Sequence, residues 1–195
     1  MKIILIVTGI ILLAFIVVQL FAMGSQNKIE TYPYKVEKKY EDFEIRTYES
    51  RLFTSVKLPS GNYKDVSSKG FSILAGYIFG GNEENEKISM TSPVSMSLED
   101  SMTMMFLVPQ KYEKSKLPKP NQSSIEFREE PSKRMAAISF GGWANDKKIE
   151  EYKDKLKNAL ELEGIYYTNK FYFFGYNAPY EVFNRKNEIV VELKK

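Results

Sequence analysis

The 195-residue chain contains neither cysteine nor histidine. Without cysteine it can form no disulfide, no thiolate metal site and no lipid-modified cysteine. Without histidine it lacks an imidazole general base, the serine–histidine and cysteine–histidine catalytic pairs, and the commonest side-chain ligand for transition metals. No phosphate-binding glycine loop or nucleophile-elbow motif replaces these groups. We therefore predict that the protein is not an enzyme and that it has no catalytic residues.

The chain also lacks a strong excess of charge of one sign. Its 28 basic and 25 acidic side chains leave a net charge of +3, and the two signs are interspersed. A basic helix or arm is missing, so no nucleic-acid partner is predicted. The hydrophobic content of 43%, with 13 tyrosines and 13 phenylalanines, instead favours a β-rich domain with a sizeable core.

Residues 3–23 form the only long run without a charged side chain. About 20 apolar residues in a helix match the roughly 30 Å hydrocarbon core of a membrane. This run predicts a transmembrane anchor or signal segment in residues 1–24. A polar linker over residues 25–31 and a globular domain over residues 32–195 are expected to follow.

Two locations are compatible with this N-terminal segment. As a single-pass signal-anchor, it places the domain on the extracytoplasmic side of a membrane. As a signal peptide, with Lys2 as its basic start and a small-residue site near Ala22 and Gly24, it would be cleaved and the domain secreted. The lysines that follow the span favour the opposite orientation under the positive-inside rule, so the side of the membrane stays open.

The remaining sequence alternates between strand and helix periodicity in two similar halves. Each half predicts the order strand, strand, helix, strand, strand, with amphipathic helices near residues 62–79 and 146–163. Helices on one face of a mainly antiparallel sheet make an α+β domain. We expect a distorted antiparallel β-barrel, built from the two halves and flanked by the two helices.

Methionine and tryptophan mark two candidate pocket regions. Methionine suits a pocket for a flat apolar ligand and can also hold Cu(I), but it equally fills irregular gaps in a core. Trp143 beside a glycine pair could line the rim of a pocket or pack over the second helix. The five clustered methionines are Met90, Met96, Met102, Met104 and Met105.

Six motifs in the domain identify a known family. They are YEDFEIRTYE at 40–49, FSILAGYIFGGN at 71–82, KISMTSPVSM at 87–96, MTMMFLVP at 102–109, LPKP at 117–120 and GYNAPYEVFNRKNEIVVEL at 175–193. Together they resemble the SOUL/haem-binding protein family over residues 34–193. The resemblance implies a single domain of two similar halves, a distorted β-barrel with two flanking helices.

The resemblance also implies a function and a site. It implies non-covalent binding of haem or a related tetrapyrrole, for transport, buffering or sensing, in an apolar cleft beside the first helix of the domain. On that helix the cofactor-binding residues implied are Lys69, Phe71, Leu74, Ala75 and Ile78, with Lys69 as the cation that meets a propionate. Because the chain has no histidine, histidine-ligated haem is excluded, and no metal-ligand set is predicted.

Two alternatives remain at this point. The first is a non-enzymatic interaction module that takes a small effector or a partner peptide in the same cleft. The second is Cu(I) binding by the methionine cluster. The identity of any protein partner and the oligomeric state do not follow from the sequence.

Overall fold

A computed structural model of the chain describes residues 2–26, 29–99 and 102–194. Its elements follow the predicted order, with short additions. The helices are α1 (Lys2–Gln26), α2 (Tyr63–Ile78) and α3 (Asp146–Leu162). The strands are β1 (Glu30–Thr31), β2 (Tyr34–Lys39), β3 (Phe43–Tyr48), β4 (Arg51–Lys57), β5 (Thr91–Ser92), β6 (Val94–Ser97), β7 (Thr103–Leu107), β8 (Ile125–Glu130), β9 (Lys133–Gly141), β10 (Tyr167–Gly175) and β11 (Lys186–Leu193).

The predicted α+β architecture is confirmed. Within the described residues, nine strands form one curled antiparallel sheet, a half-barrel in the order β2-β3-β9-β11-β10-β6-β7-β4-β8. Helix α2 packs against β4 and β7, and α3 packs against β9, β10 and β11. Each helix therefore covers the strands of its own half of the sequence.

The two halves exchange strands: β2 and β3 of the first half join the strands of the second, and β8 of the second joins those of the first. Strand β3 belongs to the first half of the sequence but pairs with β9 of the second half. Strand β8 opens the second half but pairs with β4 of the first. The contact between β6 and β10 joins the halves at the centre of the sheet. Because each half completes the other, neither half forms its sheet alone.

The alternating residues of segment 87–98 are typical of one strand, but in the structure this segment is divided at Pro93. Proline has no backbone N–H to donate to a ladder, so it interrupts pairing. A cis peptide bond joins Ser92 to Pro93. Strand β5 before it pairs in parallel with β1, while β6 after it enters the large sheet.

Three buried apolar clusters stabilise this arrangement. The first lies between α2 and the strands of the first half, and the second lies between α3 and the strands of the second half. The third fills the opposite face of the sheet and includes Tyr48, Phe53, Met105, Phe174 and Val190. The curl of the sheet thus gives it an inner core as well as two helix-covered outer cores.

Helix α2 approaches the sheet most closely at Gly70. A Cβ atom at this position would lie 2.6 Å from Cδ1 of Leu58 and 3.1 Å from Sδ of Met104. A Cβ atom at Gly76, in the same helix, would meet nothing within 4 Å. Only the first glycine is therefore required for packing.

These two glycines provide a matched pair of variants. We expect Gly70→Ala to lower the free energy of unfolding by about 1–3 kcal/mol, because the added methyl group overpacks the contact with the sheet. Gly76→Ala should raise it by about 0.5–1 kcal/mol through the better helix propensity of alanine. Urea unfolding of the full chain in detergent micelles, followed by circular dichroism, measures both. Equal effects of the two substitutions would contradict the packing role of Gly70.

A buried ion pair crosses three strands of the sheet. Arg46 on β3 is 3% exposed and Glu188 on β11 is 0% exposed. Arg46 donates to both carboxylate oxygens of Glu188, from Nη1 at 2.9 Å and from Nη2 at 3.1 Å. The Tyr176 hydroxyl at 2.6 Å and the Ser139 hydroxyl at 3.0 Å also donate to this carboxylate. Burial raises the pKa of Glu188, but the hydrogen bonds and charge of Arg46 outweigh it, so the net pKa is lowered.

Removing the charge of Glu188 should be costly because the buried Arg46 guanidinium then keeps only Glu44, a partly exposed carboxylate 2.9 Å from its Nε. We expect Glu188→Gln to lower the free energy of unfolding by about 3–5 kcal/mol at neutral pH. The control is Glu151→Gln, which breaks an exposed pair with Lys155 at 2.8 Å and should leave the stability nearly unchanged. Urea unfolding at neutral pH measures the difference.

The same pair has a defined pH dependence. Since the folded-state pKa of Glu188 is lowered, its stabilisation is present above the unfolded-state pKa of about 4.3 and is lost as the pH falls through the folded-state pKa. The stability gap between the wild type and Glu188→Gln should therefore close at acidic pH. A gap that persists when Glu188 is protonated would contradict this account.

Candidate ligand-binding cavity

A cavity of about 590 Å³ lies between α2 and the segments that surround the N-terminus of α3 and the β10–β11 connection. This volume falls within the roughly 300–1,000 Å³ of typical small-molecule sites. Residues of α2 spaced at helical intervals form one wall, since side chains four residues apart share a face. They are Tyr63, Lys64, Ser67, Ser68, Phe71 and Ser72.

The floor of the cavity is apolar. Met96 on β6 and Met104 on β7 are partners across the two strands, and both line the cavity. Phe173 on β10 lies beside them and meets the ring of Tyr63 edge-on at 5.1 Å between ring centroids. Phe71 contacts Phe106 behind it, with 5.4 Å between ring centroids. Thioether and aromatic surfaces of this kind suit a flat, polarisable ligand.

The wall opposite α2 carries a positive charge. The Arg185 guanidinium lies 3.9 Å from the ring centroid of Trp143, and its Nη1 donates to the carbonyl oxygens of Ala178 at 3.0 Å and Glu181 at 2.5 Å. Its Nε is buried and has no hydrogen-bond partner among the described residues. Burial lowers the pKa of Arg185, which Glu181 partly counteracts. The charge of Arg185 in this wall would favour an anionic group in the cavity.

The N-termini of α2 and α3 meet at one end of the cavity. Asn62 caps α2 by accepting from the Asp65 N–H at 3.0 Å, and Asn145 caps α3 by accepting from the Lys148 N–H at 2.9 Å. Asp146 joins the two helices because its carboxylate accepts from the Tyr63 N–H at 2.7 Å. These bonds set the separation of α2 from the opposite wall.

Tyr63 presents a neutral phenol to the cavity. Burial has the largest influence on the pKa of Tyr63 and raises it, and Asp146 raises it further. Arg185 and a hydrogen bond with Ser67 lower this pKa, but the net shift is upward. The hydroxyl therefore stays protonated at neutral pH. It is a weaker candidate than the two methionines for binding a metal centre.

The structure separates the five predicted site residues. Phe71 lines the cavity. Leu74, Ala75 and Ile78 are 0%, 7% and 4% exposed and lie in the apolar cluster between α2 and the sheet. Lys69 is exposed and lies outside the cavity lining, on the far side of α2 at about 100° of rotation per residue. Its role at a propionate stays a prediction.

Several residues that line the cavity lie outside the set predicted from the sequence. Lys64 and Tyr63 lie one to two turns before the predicted set, and the repeated spacing of residues 63, 67 and 71 is the signal that could have found them. Arg185 belongs to an irregular segment without periodicity. Trp143 lies at the rim of the cavity, which is one of its two expected positions. The neighbouring turn is fixed by the Asn187 side-chain amide, which donates to the Gly142 carbonyl oxygen at 2.8 Å.

The methionine cluster is divided by the sheet. Met96 and Met104 line the cavity, whereas Met105 faces the inner core. Met90 and Met102 pack at the margin of the cluster under α2. In the described part of the chain, no group of three or more acidic side chains is arranged to hold a metal ion.

Comparison with known proteins identifies the family. The family model described as SOUL heme-binding protein matches residues 29–192. The chain belongs to the SOUL family. It is 28% identical over 166 residues to heme-binding protein 2 of Mus musculus, covering 80% of each chain. It is 25% identical over 174 residues to heme-binding protein 1 of Xenopus laevis, covering 85% of this chain and 91% of that one.

Solved structures share the fold at lower sequence identity. The C-terminal domain of EcmrR superposes with a TM-score of 0.62 at 11% identity, covering 83% of this chain and 98% of that one. A hydrolase from Listeria innocua superposes with a TM-score of 0.52 at 9% identity, covering 81% and 94%. At these identities the likeness establishes the fold of the SOUL domain and nothing about its chemistry.

Proposed function

We propose that this SOUL protein binds haem or a related tetrapyrrole non-covalently in the cavity beside α2. The observation that carries the proposal is the combination of an apolar floor with the Arg185 guanidinium in the wall opposite α2. A macrocycle with acidic side arms matches such a site, because its faces are apolar and its edge is anionic. The names of the relatives, heme-binding proteins 1 and 2, support the same ligand.

Different residues of the cavity would bind different parts of the ligand. Phe71, Phe173, Met96 and Met104 would enclose the macrocycle, while Lys64 and Arg185 would meet its carboxylates. Bound haem would supply a redox-active iron. In the absence of histidine, the thioether of Met96 or Met104, a tyrosine or a lysine would hold the iron, or apolar enclosure alone would hold the macrocycle.

We further propose that residues 1–24 act as an anchor, with the linker 25–31 and the domain 32–195 on the extracytoplasmic side. Helix α1 is long and apolar enough to cross a membrane. A signal peptide passes the same test, and its cleavage would give a secreted protein instead. With no catalytic set predicted, the role would be transport, buffering or sensing of the ligand.

Two lysines of α2 test where the ligand binds. We expect Lys64→Ala to weaken haem binding about fivefold, because an exposed ion pair contributes up to about 1 kcal/mol. Lys69→Ala, on the far side of the same helix, should leave the affinity unchanged. Titration of the full chain in detergent micelles, followed by the Soret absorption band, measures both dissociation constants.

The outcomes of this titration are distinct. A loss confined to Lys69→Ala would place the ligand on the other side of α2. A wild-type chain that gives no saturable spectral change would remove haem from the proposal and favour an interaction module for a small effector or a peptide.

Copper binding by methionine is tested separately. If the cavity is a tetrapyrrole site, a chain with Met96→Leu and Met104→Leu should show the same weak response to Cu(I) as the wild type, since leucine conserves the volume. A Cu(I) competition assay with a chromogenic chelator provides the measurement. Strong copper binding by the wild type that the double variant loses would favour the copper alternative.

A further inference from the structure

The apolar helix α1 is hydrogen-bonded to the loop that forms one wall of the cavity. Gln19 of α1 is 5% exposed. Its Nε2 donates to the Tyr180 carbonyl oxygen at 3.0 Å, and its Oε1 accepts from the Val182 N–H at 3.1 Å. An amide group within an apolar helix requires such partners, because lipid offers none. The contact joins α1 to residues 178–183, which we call the rim loop.

The rim loop exposes an apolar surface. Tyr180, Val182 and Phe183 are 61%, 42% and 55% exposed. The single acidic side chain of the loop, Glu181, is 5% exposed and accepts a hydrogen bond from the Asn177 amide at 2.7 Å. The surface that faces outward is therefore uncharged. Trp143, which is 55% exposed, extends it beyond Arg185.

We propose that the rim loop lies in the interfacial layer of the same bilayer that holds α1, and that the cavity opens towards that surface. This inference rests on the proposed membrane anchor. Gln19 lies four residues before the end of the apolar run 3–23, about 6 Å inside it at 1.5 Å per residue. A loop bonded to Gln19 therefore lies at the depth of the lipid boundary.

The chemistry of the loop agrees with this depth. Tyrosine and tryptophan are enriched at the boundary between lipid and water, because they combine an apolar body with a polar tip. Exposed apolar surface of this kind otherwise marks a protein contact. Lipid is the favoured occupant here because the bonds to Gln19 already hold the loop beside the membrane helix.

A consequence for ligand entry follows from the same segment. Pro179 within the rim loop and Arg185, two residues after it, line the cavity. One side of the segment thus faces the ligand and the other faces lipid. An apolar macrocycle dissolved in the membrane would reach the cavity without crossing bulk water.

The absence of cysteine allows a direct test of depth. Phe183→Cys, labelled with a nitroxide in the full chain reconstituted in phosphatidylcholine vesicles, should be more accessible to oxygen than to a water-soluble nickel complex. Ile11→Cys in α1 provides the membrane reference. Leu162→Cys, 88% exposed at the far end of α3, provides the aqueous reference. Power-saturation electron paramagnetic resonance measures all three.

Each outcome decides the proposal. A Phe183 label that matches the Ile11 label more closely than the Leu162 label supports the rim loop in lipid. A Phe183 label whose accessibility matches that of the Leu162 label overturns the proposal and places the loop in water. A Phe183 label that is shielded from both reagents only at high protein density overturns it in favour of a contact with a second copy of the chain. Haem titration of the same labelled chains keeps the two proposals distinguishable, because intact haem binding with an aqueous Phe183 label contradicts the membrane contact alone.

Discussion

The close approach of α2 to the sheet at Gly70 is the contact on which the cavity depends. Leu58 and Met104 occupy the space that any side chain at this position would need, so the helix axis is held near the sheet. The helix then buries Leu74 and Ile78 on one side and leaves the stripe from Tyr63 to Ser72 unfilled on another. A helix held farther out would change both surfaces together, since interiors transmit such shifts.

The exchange of strands between the halves positions the wall of the cavity opposite α2. Because β3 pairs with β9, the first half is joined to β9 and, through β9, to β11. Strand β9 ends just before Trp143, and β11 begins just after Arg185. The Arg46–Glu188 pair lies on this part of the sheet and spans from β3 to β11. Breaking a buried pair of this kind leaves an uncompensated charge, which favours a single register for these strands. The two walls of the cavity are therefore attached to one continuous sheet rather than to two loosely joined units.

Periodicity and motif order were sufficient to predict the elements and the α+β class, because local patterns record which face of a segment is buried. They could not predict the exchange of β3 and β8, which depends on pairing between distant segments. The site shows the same limit. The family resemblance implied Leu74, Ala75 and Ile78 because they are apolar residues of α2, yet apolar residues of a helix contact a core as readily as a ligand. Arg185 and Trp143 come together only through tertiary structure, so no local pattern predicts their contact.

The lack of histidine and the position of the rim loop bear on the same physical question of how long a ligand stays bound. A strong axial bond to iron would slow release, whereas apolar enclosure and exposed ion pairs offer smaller barriers. Tyr63 remains a neutral phenol in this cavity, so it adds no anionic ligand. If α1 spans the membrane as proposed, a site built from Met96, Met104 and aromatic rings would suit exchange with a lipid-dissolved pool better than permanent storage.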